Sequence, residues 1–446
     1  MRLIGLVFTL FFCTTVFAQE NSPYSRYGLG NLVPNQNMIS RAMGGISAGY
    51  VDIPFDSAKL QGSLSINSSN PATYGSFSAT TFDIGAEADF NTLKSINPVK
   101  SYNSGNSLFS YMQLGFPIKM KKANKKEIFL GVTLGIKPIS RINYSIITAG
   151  RLPGIDSTQT IYEGNGGLNQ AFAGAGLRIK CISIGFNTGY MFGNKNYSTQ
   201  MGIPNDSVFY NSTTYSTNTD FGSVFFEGGI MYQGKISPRT YLRIGARGSL
   251  KRTFKASEDL IRETSYYDAS SGNTLKLDSV YEQNQKGNIT YPSSYGLGVS
   301  LQRPHWTFGA DFDAMNWKDY RYYGQTDQVQ NNWTMHVGAE YYPLESDKIV
   351  STKKYFDFVK YRMGFYYGPD YINVNENMPS YAFTFGAGFP LKLRRSYADE
   401  NQVSILNTSF EIGSRGNQTS QLRENYFRVG VGLTLSAIWF QRSKYY

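Results

Sequence analysis

Strict alternation of apolar and polar residues runs through most of the chain after residue 77. In the first such segment one face carries Phe82, Ile84, Ala86, Ala88 and Phe90, and the other carries Asp83, Gly85, Glu87, Asp89 and Asn91. Comparable segments begin near residues 78, 106, 127, 160, 181, 219, 239, 288, 305, 332, 358, 379, 401 and 424. Because neighbouring side chains of a strand point to opposite faces, the pattern predicts about fourteen β-strands, each with one apolar face.

These segments are typical of a transmembrane β-barrel rather than a soluble β-sandwich. Aromatic residues lie mainly at the segment ends, where a membrane interface places them. The faces opposite the apolar ones carry glycine and charged residues, which the core of a sandwich would not tolerate. We therefore predict an all-β fold, a transmembrane antiparallel β-barrel of about fourteen strands over residues 78–440, with a short tail over residues 441–446.

The predicted connections alternate in length and so indicate an orientation. Those after the first, third, fifth, seventh and ninth segments are long and polar, for example residues 195–218 and 258–286, whereas those after the fourth, sixth and eighth are short. Long loops of outer-membrane barrels face outwards and short turns face the periplasm. Both ends of the mature chain are therefore expected on the periplasmic side or in the lumen of a barrel in the bacterial outer membrane.

Composition excludes several other classes of protein. No apolar run after the N-terminus reaches the ~20 residues of a membrane-spanning helix. With only 2 Cys and 2 His in 446 residues, we expect no metal centre, no cofactor and no enzyme activity. A hydrolase that uses His336 is the weaker alternative.

The formal net charge of +11 is partly gathered in the predicted periplasmic turns. Their basic residues are Lys119, Lys121, Lys122, Lys125, Lys126, Lys348, Lys353, Lys354, Lys392, Arg394 and Arg395. These turns are either ordinary solvated charges or a basic collar that meets anionic lipid or an acidic protein partner. The compartment excludes nucleic acid as a partner.

The N-terminal region divides into two parts. Arg2, an apolar run over residues 3–12 and the small Ala18 predict a secretory signal peptide over residues 1–18. Residues 19–77 do not alternate, yet Leu, Ile, Met and Tyr recur through them. Because a fourteen-stranded barrel encloses a lumen that must be filled or must conduct, we predict that residues 19–77 form a luminal plug.

Two motifs of this segment stand in sequence, since Arg41-Ala42-Met43-Gly44-Gly45 precedes Asn70-Pro71-Ala72, which lies just before the first strand. Together they resemble the N-terminal hatch of the FadL family of outer-membrane transport proteins, and the opening Ser22-Pro23-Tyr24-Ser25-Arg26-Tyr27-Gly28 is similar to the version found in Bacteroidetes. Residues 338–341 and 362–366 are similar to the C-terminal half of the family. The resemblance implies a fourteen-stranded barrel whose hatch includes Arg41, Gly44, Gly45, Asn70, Pro71 and Ala72. It also implies uptake of long-chain fatty acids or other hydrophobic molecules.

The same resemblance implies that ligand leaves sideways through a kink in the third strand. Gly135 and Pro138 stand in that segment, and because proline cannot donate to the ladder and glycine often marks a bend, they are candidates for a lateral opening. An ordinary bulge at the barrel rim is an equal alternative.

Alternation also predicts which charged residues face the lumen. They are Asp83, Glu87, Asp89, Arg243, Arg247, Asp311, Asp313, His336, Glu340 and Arg362. Opposed charges in a confined lumen form structural ion-pair networks or a field across a hydrophilic pore. Neither arrangement favours an oily ligand.

Two functions are therefore open. The first is passive uptake of small hydrophobic molecules, with an apolar cavity beside the hatch. The second is a non-transporting barrel that serves as a structural or accessory subunit of an outer-membrane assembly or secretion complex. The expected partners are outer-membrane lipid and either a hydrophobic small-molecule ligand or periplasmic and outer-membrane proteins.

Overall fold

The computed structural model describes residues 22–53, 62–96, 99–118, 128–151, 157–203, 210–268, 273–344, 354–374, 377–391, 402–417, 420 and 422–437. Within them, one antiparallel sheet closes on itself, because the last barrel strand pairs with the first from Ala437↔Thr80 to Leu422↔Ser95. The strands are β1 (Thr80–Ser95), β2 (Lys100–Ile118), β3 (Ile128–Arg151), β4 (Ser157–Ile179), β5 (Ile182–Gly202), β6 (Ser212–Ser237), β7 (Thr240–Ser249, continued by Arg252–Asp268), β8 (Asn273–Tyr291, continued by Ser294–Gln302), β9 (Trp306–Met315), β10 (Asn332–Tyr341), β11 (Lys360–Asn373), β12 (Asn377–Pro390), β13 (Gln402–Arg415) and β14 (Leu422–Ala437). The predicted closed, fourteen-stranded barrel is confirmed.

Most of the predicted long loops are wrong. β5 extends to Gly202 and β6 begins at Ser212, while β7 extends to Asp268 and β8 begins at Asn273. Residues 195–218 and 258–286 therefore lie largely in strands. Because these strand ends stand beyond the apolar belt of the barrel, neither face is selected for contact with lipid, and the period-two signal disappears. Of the predicted long connections, residues 316–331 do form one, with a 3-10 helix at Trp317–Asp319.

The outer face of the barrel is apolar and the inner face is polar. In β1, Asp83 and Glu87 are buried, whereas Phe90 in the opposite alternation is 51% exposed. Phe308 of β9 and Phe383 of β12 are exposed in the same way. The hydrocarbon of a bilayer covers such an apolar face. The exposed hydrophobic side chains are therefore those of a membrane barrel. None of the helices among the described residues is long and apolar enough to cross a membrane.

Residues 22–53 and 62–79 lie inside the barrel and are called the plug below. The plug contains 3-10 helices at Pro23–Arg26 and Pro71–Ser76, helix α1 (Met38–Arg41) and a short strand, Asn31–Leu32. Its backbone and side chains press against inward-facing glycines of β1, β4, β5, β7, β10, β11 and β14. The plug therefore contacts the wall on several sides. The boundaries at residues 18 and 440 stay predictions, since residues 1–21 and 438–446 lie outside the described part of the chain.

One half of the barrel is much taller than the other. Residues 142–151, 157–166, 194–202, 212–221, 255–268 and 273–287 of β3 to β8 remain paired far above the level at which β9 ends. We call these six paired strand ends the tall wall and this end of the barrel the tall end. The opposite end, where β1 begins, carries tight turns such as residues 180–181, and we call it the short-turn end.

Candidate functional site: a filled lumen

The first hatch motif makes a tight backbone turn against the wall. Gly44 and Gly45 have positive φ angles of 72° and 93°. The Gly44 N–H donates to Thr384 Oγ1 at 2.8 Å. A Cβ on Gly44 would lie 2.5 Å from the Val337 carbonyl oxygen. Conformation and space therefore both require glycine there.

The second hatch motif caps a helix and ties two parts of the plug together. Asn70 Oδ1 accepts from the Ala72 N–H at 3.1 Å, which caps the 3-10 helix that Pro71 begins. Asn70 Nδ2 donates to the Ala48 carbonyl at 2.6 Å. This Asn-Pro-Ala turn therefore has a structural task inside the lumen.

Arg41, the charged residue of the first motif, belongs to a network of ion pairs. It donates to Glu87 of β1, and Arg141 of β3 donates to the same carboxylate at 3.1 Å. Asp89, two residues along β1, is 2.7 Å from Arg428 of β14. These contacts connect the plug with three strands.

A second network lies on the opposite wall. Arg247 Nη2 is 2.7 Å from Asp313 Oδ2, and His336 Nε2 is 3.3 Å from the same oxygen. His336 Nδ1 is 2.6 Å from the Gly44 carbonyl oxygen. Asp311 accepts hydrogen bonds from two backbone N–H groups of the plug at 2.5 and 2.6 Å. The predicted luminal charges here therefore hold the plug against the wall.

A third network holds the plug residue Asp52 at the short-turn end. Glu340 lies 2.8 Å from Arg362 and 3.5 Å from Lys360, and Lys360 also contacts Asp52. Burial opposes ionisation of Asp52, but Lys360, Arg362 and Arg243 outweigh it and hold the pKa of that carboxyl below its usual value. The contact between Asp52 and Lys360 is therefore a charged pair.

The two remaining predicted luminal charges hydrogen-bond to neutral partners. Arg243, which is fully buried, donates to Gln302 at 2.7 Å and to Gln233 at 3.2 Å. Asp83 accepts from the Thr434 hydroxyl at 3.1 Å. All ten charges predicted to face the lumen are therefore in contacts with the plug or with other luminal groups.

Gly135 and Pro138 lie where the wall between β2 and β3 stops. The β2–β3 ladder ends at the pair Met112↔Ile136, and the register of β3 against β4 shifts just after Pro138. Beyond that point β3 pairs with the plug strand Asn31–Leu32. The bulge is present, and the plug occupies the edge that it exposes.

Arg141 spans the same break. Its Nη2 donates to the Phe109 carbonyl of β2 at 2.6 Å, while its Nη1 reaches Glu87. A charged side chain therefore replaces the backbone hydrogen bonds that the two strands do not make.

An apolar cluster fills the lumen near the tall end. Its buried members are Tyr24, Leu29, Leu168, Phe172, Met191, Phe221, Phe225, Phe254, Ala256, Ile289, Tyr291, Trp317, Tyr320, Tyr371, Ile372 and Met378. Trp317 is 0% exposed, and its ring centroid lies 4.2 Å from that of Tyr371. This cluster could not be predicted from the pattern of residues, because residues 316–331 have no periodicity. The only signal was a tryptophan and several tyrosines in a polar connection.

Gly28 of the opening motif makes hydrogen bonds with three residues of the wall and of the connection over residues 316–331. The Gly28 carbonyl accepts from Lys195 Nζ at 2.9 Å and from the Tyr320 hydroxyl at 3.0 Å. The Gly28 N–H donates to Asp327 Oδ2 at 2.7 Å. Gly28 and Gly30 both have positive φ angles, 58° and 91°. Gly28 thus lets the plug hold residues 316–331 against the lumen.

One cavity in the lumen is lined by many charged residues. This cavity of about 380 Å³ lies between plug and wall. Its charged lining comprises Arg41, Glu87, Asp89, Arg141, Glu227, Arg247, Asp313, Asp370, Glu411, Arg415, Glu424 and Arg428. Sites for small hydrophobic molecules are mostly apolar and carry only a few polar groups, and a lining with this many charged residues differs from them. A shallow apolar hollow lies on the lipid-facing side, lined by residues such as Ile244, Leu297 and Met335.

Two predictions concern residues that the structure leaves largely undescribed. The signal peptide falls within residues 1–21, and the basic turns fall within residues 119–127, 345–353 and 392–401 except for Lys354. The basic collar therefore stays a prediction.

The closed barrel and its filled lumen define a FadL-like outer-membrane β-barrel. A FadL homologue from Pseudomonas aeruginosa has a similar solved structure, with 13% identity, a TM-score of 0.54 and coverage of 92% of this chain and 100% of that one. The Pseudomonas putida toluene transporter TodX has 15% identity, a TM-score of 0.51 and coverage of 91% and 99%. A deltaS2S3 mutant of TodX, described as a monoaromatic hydrocarbon channel, has 16% identity, a TM-score of 0.52 and coverage of 90% and 99%. At these identities the likeness shows the fold alone.

The family itself is shown by sequence. A family model described as BamG matches residues 1–446, so the chain belongs to the BamG family. No curated protein matches the sequence.

Proposed function

We propose that this barrel is a non-conducting subunit of an outer-membrane protein assembly or secretion complex. The observation that carries the proposal is that the apolar space in the lumen is occupied by the chain's own side chains, with Trp317 and Tyr320 at 0% exposure. Membership of the BamG family supports a role within a protein complex.

Energetics support a plug that stays in place. Moving it would separate Arg41 from Glu87 and Asp52 from Lys360, all of which are buried or nearly so. Breaking one buried pair by removing a partner costs about 3–5 kcal/mol. An opening motion would add the exposure of the aromatic cluster, so a conducting state would be far less stable than the closed one.

Uptake of a small hydrophobic molecule is the second candidate. The end of the β2–β3 ladder at Met112↔Ile136 favours it, because a ligand could leave the lumen there once Asn31–Leu32 moved away from β3. The charged lining of the cavity and the filled apolar region count against it.

Isolation of the full-length chain from native membranes tests the two candidates. The chain carries an affinity tag, and an unrelated tagged barrel from the same cells is the control. We expect a stoichiometric complex on native gels with the chain and none with the control. Depletion of the chain should lower the amounts of other outer-membrane barrels, and any loss of uptake of radiolabelled fatty acid or toluene should follow the loss of those barrels. A lone monomer whose depletion reduces uptake while the other barrels keep their amounts would refute the proposal and establish the second candidate.

A further inference from the structure

The tall wall has two faces of different composition. Its inner face continues the lumen-facing side, because buried Phe221 and Ala256 stand in the same alternation. Three cross-strand rows of the inner face read Tyr144, Gly164, Tyr197, Thr217, Leu260, Gln283; then Ile146, Tyr162, Thr199, Tyr215, Arg262, Tyr281; then Thr148, Thr160, Met201, Thr213, Thr264, Asp278. The interleaved outer rows read Asn143, Asn165, Asn196, Asn218, Asp259, Asn284; then Ser145, Glu163, Ser198, Ser216, Ile261, Glu282; then Ile147, Ile161, Gln200, Thr214, Glu263, Ser279.

Tyrosine is confined to the inner rows of this set, whereas most of the carboxylates stand in the outer rows. Water alone on both sides would give no reason for such sorting. An interfacial aromatic belt would place the rings on the lipid-facing side, so it does not explain inward-facing tyrosines. Tyrosine and arginine are enriched, and Asp and Glu depleted, where protein surfaces bind each other.

The first of these inner rows already has a partner within the chain. Tyr144 is buried, and the Tyr197 hydroxyl donates to the Arg26 carbonyl of the plug at 2.6 Å. The middle row is open, since Tyr215 is 48% exposed and Tyr281 is 41% exposed. The six strands of this row span about 24 Å, which is wide enough for a folded partner.

Arg262 stands at the centre of the open row. Its guanidinium carbon lies 5.2 Å from the ring centroid of Tyr215 and 5.3 Å from that of Tyr281. Among the described residues it makes no ion pair. The two rings hold the guanidinium in place, so little side-chain freedom would be lost when it binds a carboxylate.

We propose that the inner face of the tall wall, centred on Tyr215, Arg262 and Tyr281, is the docking surface for a protein partner that presents a carboxylate to Arg262. This inference rests on the proposed function and names the surface by which the subunit contacts another member of its complex. A glycan is disfavoured because the carboxamides that hydrogen-bond sugar hydroxyls at several points are concentrated on the outer face, at Asn143, Asn165, Asn196, Asn218 and Asn284.

Site-specific photo-crosslinking in cells tests the surface. The full-length chain carries p-benzoylphenylalanine in place of Tyr215 or Tyr281, and the matched control carries it in place of Ser216, the next residue on the outer face. We expect a discrete protein adduct from the two inner positions and none from the outer one. In the chain with the crosslinker in place of Tyr215, Arg262→Glu should lower the yield about tenfold or more, whereas Arg262→Lys should retain a large part of it. Heat-modifiable migration on gels verifies that each variant folds.

Four outcomes would overturn the inference. These are no adduct from either inner position, equal adducts from Tyr215 and Ser216, an adduct that resists protease and contains carbohydrate or lipid, and an adduct with a second copy of the chain. If a stoichiometric complex is isolated but the inner positions give no adduct, the docking surface is wrong while the proposed function stands. If the chain is a lone monomer, the proposed function is wrong whatever the crosslinks show.

Discussion

Arg41 of the plug and Glu87 of β1 form the contact that best tests whether the plug is a structural part of the barrel. Their side chains are 3% and 1% exposed. Arg41→Met keeps most of the side-chain volume but leaves Glu87 with Arg141 as its remaining close cation, at 3.1 Å. Removing one partner of a buried pair costs about 3–5 kcal/mol. Because Arg141 still neutralises Glu87, we expect the lower end, about 3 kcal/mol.

Removal of the Glu87 carboxylate should lower the free energy of unfolding more than removal of Arg41. Glu87→Gln leaves Arg41 buried without its counter-charge, and Arg41 Nε and Nη2 already have no hydrogen-bond partner among the described residues. We expect a loss near the upper end, about 5 kcal/mol. The double variant removes both charges, so its loss should be smaller than the sum of the two single losses by about 1–3 kcal/mol.

Urea unfolding of the purified barrel in detergent measures these free energies, and heat-modifiable gel migration gives an independent ranking. Lys318→Met is the control, because Lys318 is exposed and surface substitutions are usually within about 0.5 kcal/mol. If Arg41→Met unfolds like the control, or if the two single losses simply add, the plug does not stabilise the barrel through this pair and the reasoning is refuted.

Three further predictions use the same unfolding assay. Trp317→Ala should cost about 3–5 kcal/mol, because it empties the centre of a fully packed aromatic cluster; a loss below 1 kcal/mol would show that residues 316–331 do not close the lumen. Gly30→Ala should destabilise far more than Gly324→Ala: both have positive φ, but a Cβ on Gly30 would meet the β3 backbone, whereas nothing lies within 4 Å at Gly324. Asp52 should add an acid-dependent loss: burial opposes its ionisation, but Lys360 holds its pKa below the ordinary 3.8, so its stabilisation is present above that pH and disappears as the pH falls below it. Asp52→Asn should lack this part of the pH profile, and an unchanged profile would contradict the assignment.

The barrel could be predicted from the sequence because two different solvents act on its two faces. Lipid selects Phe82 and Phe90 on the outside of β1, and the filled lumen selects Asp83 and Glu87 on the inside. The alternation of apolar and polar residues is therefore visible in the sequence. The same reasoning failed for β5 to β8 beyond the membrane. Lipid acts on neither face there, and polar strand ends such as those at Gly202 and Asp268 look like loops.

The contacts of the luminal residues could not be predicted for a different reason. Alternation gives the face of a residue but not its height or its partner, so the pairing of Arg247 with Asp313 depends on strand register. The aromatic cluster depends on a connection that folds back inside the barrel. Trp317 carries no local signal for that path, because the path is set by hydrogen bonds to Gly28 more than 280 residues earlier.

The filled lumen and the proposed docking surface are physically connected. The tall wall is built on β3 to β8. Phe221 at its base belongs to the cluster, as do Phe254 and Ile289 directly below the wall. A single-layered sheet beyond the apolar belt twists and bends easily unless its base is fixed, and a close-packed base is hard to deform. The side chains that block a hydrophobic pathway would therefore also hold Tyr215, Arg262 and Tyr281 in one row. It follows that Trp317→Ala should reduce crosslinking from Tyr215 without touching that surface. Undiminished crosslinking in a folded Trp317→Ala variant would show that the wall keeps its shape without the cluster.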